Sequence, residues 1–317
     1  MRLQEVSVRN FRRHRSWREP LAPRLAMFRE TNGAGKTTIL DAAAAALSAF
    51  LELLEVPARF ELRPLDAHRV WQKDESGNVE LVAEGPTEVT AVAWMDGREI
   101  RWTQSRSLAD QTTTDSRELG EVASALVSGV AAGCPVDLPL VAYYRRDPGP
   151  QTPLEGGGGD SRWDGYLRAF TPCSLDLITD WMRRKTRSQS RDELESVERA
   201  VCQCLPPADG FRFNLETDGL ELHFGRSKKI VPFQFLGDAM RTVFGTAADL
   251  ACRACMLNPH LGGEAVLKAR GVVLIDDVEE HLERERERSI VSRYLEAFPG
   301  LQLIASTNSL AVSDKCR

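Results

Sequence analysis

The stretch Phe28-Arg29-Glu30-Thr31-Asn32-Gly33-Ala34-Gly35-Lys36-Thr37-Thr38 decides how this chain is read. The apolar residues Leu25, Ala26, Met27 and Phe28 lead into it, and an alanine-rich run extends it to Leu54. Strand, glycine-bearing turn and helix is the context in which such a loop cradles phosphate. Gly33 and Gly35 let backbone amides turn toward phosphate oxygens, Lys36 supplies a point charge, and Thr37 brings a hydroxyl that can ligate magnesium. Glu30, five positions before Gly35, stands where the motif carries its first glycine. Turned inward at about 4 Å, its carboxylate would repel a phosphate charge by roughly 4 kcal/mol at an effective dielectric of 20. Turned outward it costs little. The alternative for the whole stretch is a helix cap with no ligand.

A partner for this loop lies far downstream. Val272 to Ile275 is a short, wholly apolar run ending in Asp276 and Asp277, and the run LQLIASTNS, from Leu301, ends in polar residues. Both read as buried strands, and nucleotide chemistry in a parallel sheet sits at the carboxyl ends of its strands. Asp276 is placed to share a magnesium ion with Thr37, and Asp277 to act as a general base or to position water. Two acids after a strand could by themselves be only a helix start.

Elsewhere the pattern predicts strands at Leu3 to Val8, Leu21 to Phe28, Val79 to Val82, Glu88 to Trp94, Glu99 to Thr103 and Leu138 to Tyr144. Asp96-Gly97 and Asp218-Gly219 read as hairpin turns, the second within Phe211 to Phe224. Helices are expected over Thr37 to Leu54, Glu118 to Ala131, Leu236 to Leu257 and, as a pair, Ser174 to Leu205. Asp147 to Asp164, with four successive glycines, reads as a loop. The expected organisation is one α/β domain, with residues 1–55 and 225–317 as a nucleotide-binding core and 56–224 as an inserted lobe of hairpins and helices.

Composition excludes some classes. At 317 residues, 42% hydrophobic and 27% charged, the chain can bury a large core, and a net charge of −5 argues against a general nucleic-acid coat. Arginines from Arg9 to Arg18 and from Arg183 to Arg191 leave two local basic stretches. The longest apolar run, Ala42 to Leu54, is broken by Ser48 and Glu52 and reads as a core helix, not a membrane span. The first residues lack the apolar core of a signal peptide, so a cytoplasmic location is expected. Seven cysteines then read as free thiols. Cys202-x-Cys204 and Cys252-x-x-Cys255 offer a zinc alternative of weak spacing, the second pair falling in a helical stretch where thiols pack as small hydrophobes.

With these residues in place, the chain resembles the ABC-type P-loop ATPase heads of the SMC/RecF branch. Among them it is most similar to the compact AAA-family ATPases of bacterial anti-phage defence, of the Septu PtuA kind. The likeness runs through Leu3, Val8 and Asn10-Phe11-Arg12, the glycine loop, LPLVAYY, the segment QFLGDAMR from Gln234, Leu257-Asn258-Pro259, GVVLIDD and the STNS tip. It implies an ABC-head fold with a mixed central sheet, and ATP with Mg2+ as ligands. The nucleotide contacts it implies are Arg12, Asn32, Gly33, Ala34, Gly35, Lys36, Thr37 and Thr38, together with Gly237 and Asp238 of the signature segment. Thr37 and Asp276 would hold the metal, and Asp277 and Asn308 would be catalytic.

The resemblance further implies a homodimer closed head to head on two nucleotides, a nuclease or other effector as partner, DNA as a further contact, and no membrane. Several elements depart from the family pattern. Besides Glu30, Gly237 and Ala239 replace the serine and glycine of the signature, Asp277 the catalytic glutamate, Glu279 an aspartate and Asn308 the switch histidine. Gln151 is the candidate for the glutamine of the loop after LVAYY. Asn308 can hydrogen-bond but cannot carry a proton, and a water misplaced by about 1 Å loses about a hundredfold in rate. The expectation is an ATPase that binds well and turns over slowly in a DNA-directed defence or repair complex. The alternative is a catalytically dead scaffold that dimerises for an effector. A nuclease in its own right would need a histidine or metal cluster that five scattered histidines do not supply.

Overall fold

The computed structural model describes residues 1–29, 35–74, 76–145, 161–171, 173, 175–225, 229–280 and 282–313. Glu30, Asn32, Gly33, Ala34 and Gln151 therefore lie outside the described residues. The chain opens with β1 (Arg2–Phe11), β2 (His14–Pro20) and β3 (Leu25–Arg29), followed by helix α1 (Lys36–Leu53). Then come β4 (Arg69–Lys73), β5 (Val79–Ala83), β6 (Thr87–Met95), β7 (Arg98–Arg106), β8 (Thr112–Asp115), α2 (Arg117–Ala131) and β9 (Leu140–Tyr144). A helical stretch holds α3 (Leu175–Arg187) and α4 (Arg191–Cys204), and β10 (Gly210–Asn214), β11 (Gly219–Phe224) and β12 (Lys229–Pro232) come after it. The last elements are α5 (Asp238–Leu257), α6 (Ala265–Lys268), β13 (Gly271–Ile275), α7 (Arg284–Ala297), β14 (Leu301–Thr307) and α8 (Leu310–Ser313).

Two sheets enclose α1. One is antiparallel, in the order β2-β1-β6-β7-β8; the other is parallel, β3-β14-β13-β9. Helix α1 packs on β1, β6 and β7 on one side and on β13 and β14 on the other. A helix covered on both sides needs small residues to let the backbones approach, and Ala42 to Ala46 are each at most 1% exposed. Leu40, Leu47, Phe50 and Leu51 are fully buried, each contributing about 1.5–3 kcal/mol of apolar burial. Trp102 of β7 donates its indole N–H to the carbonyl of Ala46 at 2.9 Å, so even its one polar atom is satisfied against α1.

The two sheets are joined by a buried amide. Gln302 in β14 accepts from the Leu3 N–H through Oε1 at 2.7 Å and donates through Nε2 to the carbonyls of Leu3 and Ala22 at 2.8 Å. A glutamine in an otherwise apolar strand is tolerated because both ends of its amide are paired. Gly271, which opens β13, must be glycine for a different reason: a Cβ there would lie 2.0 Å from the Leu140 carbonyl oxygen.

The remaining face of the parallel sheet is covered by α5, which packs on β9, with α3, α4 and the three-stranded sheet β10-β11-β12 beyond it. Residues 56–224, expected as an inserted lobe, contribute β6 and β7 to the antiparallel sheet and β9 to the edge of the parallel one. The reason is burial: all five residues of β9 are buried, and such a strand cannot sit in a peripheral lobe. The mixed sheet expected from sequence is resolved into these parallel and antiparallel layers. Strand β2 was not anticipated, because the arginine-rich His14–Pro20 pairs with β1 as an exposed edge and lacks an apolar face.

Two polar devices lock this layer. Asn258 uses its side chain as a strand would its backbone, accepting from the Leu138 N–H at 2.8 Å and donating to the Leu138 carbonyl at 3.1 Å. Arg253 and Asp249 form a pair in which both side chains are 1% exposed, at 2.7 Å. Tyr144 donates to Asp249 at 2.6 Å, and Arg253 also donates to the carbonyls of Gly165 and Leu167. Removing one partner of such a pair leaves a buried charge uncompensated. Asp249→Ala is accordingly expected to lower stability by about 3–5 kcal/mol, read from urea unfolding midpoints. A loss under about 1 kcal/mol would show that water or local rearrangement compensates Arg253.

Candidate functional site

The register of the parallel sheet brings three strand ends level. Ile275 of β13 pairs with Ala305 of β14, and Ala305 with Met27 of β3. The residues just beyond these pairs, Asp276 after β13 and Ser306 on β14, therefore sit side by side. Ser306, fully buried, donates its hydroxyl to Asp276 Oδ1 at 2.5 Å and accepts the Asp277 N–H at 2.8 Å. Thr37, in the first turn of α1, donates to the other Asp276 oxygen, Oδ2, at 3.1 Å. Asp276 is itself 9% exposed. A hydroxyl and a carboxylate oxygen converging in this way are the hard donors that suit a magnesium ion, so the residues present fit the metal expected from sequence.

Helix α1 starts at Gly35, which has φ 103° and ψ 15°. This left-handed conformation favours glycine, and the side has no room: a Cβ would lie 2.4 Å from the guanidinium of Arg13. No acidic residue sits in the first turn of α1. The positive end of the helix dipole is thus not offset within the helix, as an anion site requires. Thr38 is buried and its N–H closes the first turn on the Gly35 carbonyl at 2.9 Å.

Lys36 is 7% exposed and its ammonium donates to Asn308 Oδ1. Asn308 in turn donates from Nδ2 to Asp277 Oδ1 at 2.8 Å. The three residues thus form a relay from the glycine loop across the tips of β14 and β13. Asp277 has φ 50°, a left-handed backbone uncommon for a non-glycine residue and often found where function holds it. Glu279 accepts the backbone N–H groups of Asn308 at 2.6 Å and Ser309 at 3.1 Å through Oε1. Its other oxygen, Oε2, is buried with no hydrogen-bond partner among the described residues. Sequence reasoning noted Glu279 only as a replaced aspartate. Its grip on the backbone after β14 depends on a contact 29 residues away that no local pattern signals.

Arg12, expected at the nucleotide, is engaged by two carboxylates. Its guanidinium donates to Asp41 of α1 at 2.6 Å and Asp66 at 2.8 Å, and stacks on the Phe11 ring. Burial alone would lower its pKa, but the two carboxylates outweigh burial and hold it above the usual arginine range. Asp41, 1% exposed, also accepts from Tyr143 at 2.8 Å and lies 3.5 Å from Arg145. Burial, and then Asp41, push the Tyr143 phenol well above its ordinary pKa, so it stays a donor. The arginine at the glycine loop is Arg13, which sequence reasoning passed over because only Arg12 fell on the family motif.

Gly237 caps the N-terminus of α5 and, with Asp238, is exposed. Asp238 is bonded to Arg241 one turn along. A cavity of about 400 Å3 is lined by Arg241 and Thr242 of α5 together with Arg145, Asp276, Asp277 and Glu280. Of the signature segment, only Arg241 lines this opening with the β13 acids.

The thiols stand apart from this chemistry. Cys252 and Cys255 are buried in α5, and burial pushes Cys252 well above its usual pKa and Cys255 up to about 12. No group of three or more metal-binding side chains occurs among the described residues. No helix among them is long and apolar enough to cross a membrane.

No protein-family model matches the chain. Among curated proteins it is similar to the retron Vc95 probable ATPase of Vibrio cholerae, 36% identical over 74 residues, which are 23% of this chain and 14% of that protein. It is also similar to the retron Ec83 probable ATPase of Escherichia coli, 30% identical over 117 residues, 37% of this chain and 21% of that one. A further relative is the Septu protein PtuA of Bacillus mycoides, 33% identical over 147 residues, 46% of this chain and 19% of that one. The matched segments thus span at most 21% of the length of these relatives. The fold is that of the SMC head. The Thermotoga maritima SMC head domain superposes with TM-score 0.53 at 15% identity, over 99% of this chain and 92% of that one. An SMC head bound to the C-terminal winged-helix domain of ScpA gives 0.56 at 12% identity over the same shares.

The Glu279 clamp yields a direct expectation. In Glu279→Ala the amides of Asn308 and Ser309 lose a charged acceptor, and their hydrogen exchange is expected to accelerate about tenfold or more. Unchanged exchange at both amides would mean that the segment after β14 is held by something else.

Proposed function

We propose that this chain is an ATP-binding head of the SMC/RecF type that hydrolyses slowly and serves as the motor or sensor of a defence or repair complex. The observation that carries the reading is the meeting of Thr37 and Asp276 at 3.1 Å, beside Lys36, at the start of a helix with no acid in its first turn. Magnesium bound by Thr37 and Asp276 would neutralise phosphate charge. Ser306 fixes the carboxylate rotamer that leaves Oδ2 toward Thr37. Lys36 meets the phosphates, for which it must leave Asn308. Asp277 is the water-positioning group, one methylene shorter than the family glutamate, and Asn308 aims it without being able to take a proton.

The similarity to retron and Septu ATPases supports a place in bacterial defence. Closure is proposed to bring a second copy's Gly237 and Asp238 onto the γ-phosphate, in keeping with their exposure at the start of α5. DNA recognition is assigned to a partner subunit, an effector such as a nuclease. The arginines of the two basic stretches are largely matched by carboxylates: Arg9 with Glu88, Arg15 with Glu84, Arg18 with Glu5, Arg183 with Asp218 and Arg191 with Glu195. The second reading, a dimerising scaffold without turnover, draws on one observation, that the Lys36–Asn308–Asp277 relay satisfies the site's own charges internally.

Titration of Mg-ATP with parallel phosphate release separates the readings. Saturable binding below millimolar nucleotide, weakened about tenfold or more in Lys36→Ala, is expected. No saturable binding by the unmodified chain, or equal binding by Lys36→Ala, removes the site. Combining Asp277→Glu, Asn308→His, Glu30→Gly and Gly237→Ser should raise turnover more than affinity, and more than single changes do. Gly237→Ser is sterically free, since a Cβ there meets nothing within 4 Å. If the unmodified chain already matches the quadruple variant, slow hydrolysis is wrong.

A further inference from the structure

At the C-terminal end of α5, where Cys255 and Met256 line it, lies a second concavity, of about 620 Å3, whose rim is basic. The end of α3 contributes Arg184, Lys185 and Arg187, and a separate one-turn helix, Arg162–Tyr166, contributes Arg162. Trp181 and Met256 form part of its apolar wall, and no acidic side chain among the described residues lines it. We propose that this groove binds a small ligand carrying two or more phosphates, at a site separate from Lys36 and Thr37.

Basic residues at a helix C-terminus are common because they complement the dipole. That accounts for the sign of the α3 residues, but not for Arg162, which arrives from another segment to face the same space. Arg162 donates to the backbone carbonyls of Leu257, at 2.8 Å, and Val136, and it has no carboxylate in ion-pair range among the described residues. A guanidinium half removed from water and paired only with neutral carbonyls retains its charge for an incoming anion. Its desolvation is visible in a pKa held below the usual arginine range, with burial as the main cause. Arg187, exposed on the rim, is felt by the Asp218 carboxylate but is not within ion-pair distance of any carboxylate among the described residues. Lys185 is paired with Glu193 at 2.6 Å and adds less. Guanidinium forks suit phosphate oxygens in two-point contacts.

The size of the ligand is set by where the positive charge stops. Nucleic acid needs a basic stripe to track its backbone. Here the cations on either side are cancelled, Arg183 by Asp180 and Asp218 and Arg191 by Glu195. What is left, at Arg162 and Arg187, is confined to the rim of a concavity of small-molecule size, within the range of about 300–1,000 Å3 typical of ligand pockets. The apolar wall gives the organic part of a phosphorylated ligand a surface to cover.

The test is calorimetric titration of the full chain carrying Lys36→Ala with inorganic tripolyphosphate and with ADP, at low salt and then at physiological salt. Saturable binding that survives Lys36→Ala, and weakens about tenfold or more when Arg187→Glu or Arg184→Ser is added, is the expected result. Arg187 is exposed, so its substitution leaves the fold intact, and matching thermal midpoints verify this. Absence of saturable binding in the Lys36→Ala background overturns the proposal, as does binding indifferent to both arginine changes. A duplex DNA oligonucleotide that binds more tightly than tripolyphosphate and is lost in the same variants also overturns it, in favour of a nucleic-acid face. Because the background already lacks Lys36, the result does not depend on the ATP site proposed above.

Discussion

Helix α1 has no solvent face along most of its length, and that constraint organises the molecule. Covered by the antiparallel sheet on one side and the parallel sheet on the other, it is built largely from small or apolar side chains, and the side chains that reach solvent lie near its two ends. The first turn is where unsatisfied N–H groups and the positive dipole end lie in any helix. A sequence that buries α1 this completely thus presents Lys36 and Thr37 to the ends of the parallel strands as a consequence of packing. The charge that does enter the layer is Asp41, and it is consumed by Arg12, Tyr143 and Arg145, not left to oppose a phosphate. Releasing Arg12 would leave a carboxylate that is 1% exposed short of one charged partner.

The acids at the end of β13 are held by neighbours on β14, and the two strands act as one part. Ser306 bonds both Asp276 and the Asp277 amide, Val278 donates to the Ser306 carbonyl at 3.0 Å, and Glu279 reaches back to the amides of Asn308 and Ser309. Any displacement of Asn308 is therefore transmitted to Asp277 and resisted by Glu279. On the proposed reading, a phosphate that draws Lys36 off Asn308 changes the partner of the group that aims water. Nucleotide binding and the arrangement for hydrolysis would then be coupled through a single amide. A histidine in that place would add a proton carrier; an asparagine leaves a hydrogen-bond linkage.

Much of this was legible in the sequence because the signals were local. The alternation of Glu88 to Trp94 and Glu99 to Thr103 around Asp96-Gly97 gave β6 and β7, and both turn residues have the positive φ such a hairpin demands. The apolar runs before Asp276 and Asn308 gave β13 and β14, and their shared fate at the strand tips came from parallel pairing. What could not be read were assignments made by distant contacts. Strand β9 looked like part of a lobe until its register with β13 placed it in the core. The edge strand β2 carries charge, not alternation, and its arginines reveal their carboxylate partners only in three dimensions. Arg12 and Arg13 are adjacent in sequence, and which of them meets the glycine loop depends on a left-handed residue, Arg12 itself at φ 52°. That backbone choice turns the two side chains apart, and no propensity rule assigns it to arginine.

The departures from the family pattern are not equally distributed over the structure. Those that can be located differ in burial: Gly237 and Asn308 are exposed, Ala239 and Asp277 are half-buried, and Glu279 is as buried as Asp276, each 9% exposed. Substituting a residue whose side chain also closes a core contact costs stability as well as chemistry. A residue at an exposed tip can change with little structural penalty. On the proposed reading, a head that keeps its phosphate and metal contacts while its hydrolytic groups vary retains nucleotide binding and loses speed, a combination suited to a sensor that must stay bound long enough for a partner to act.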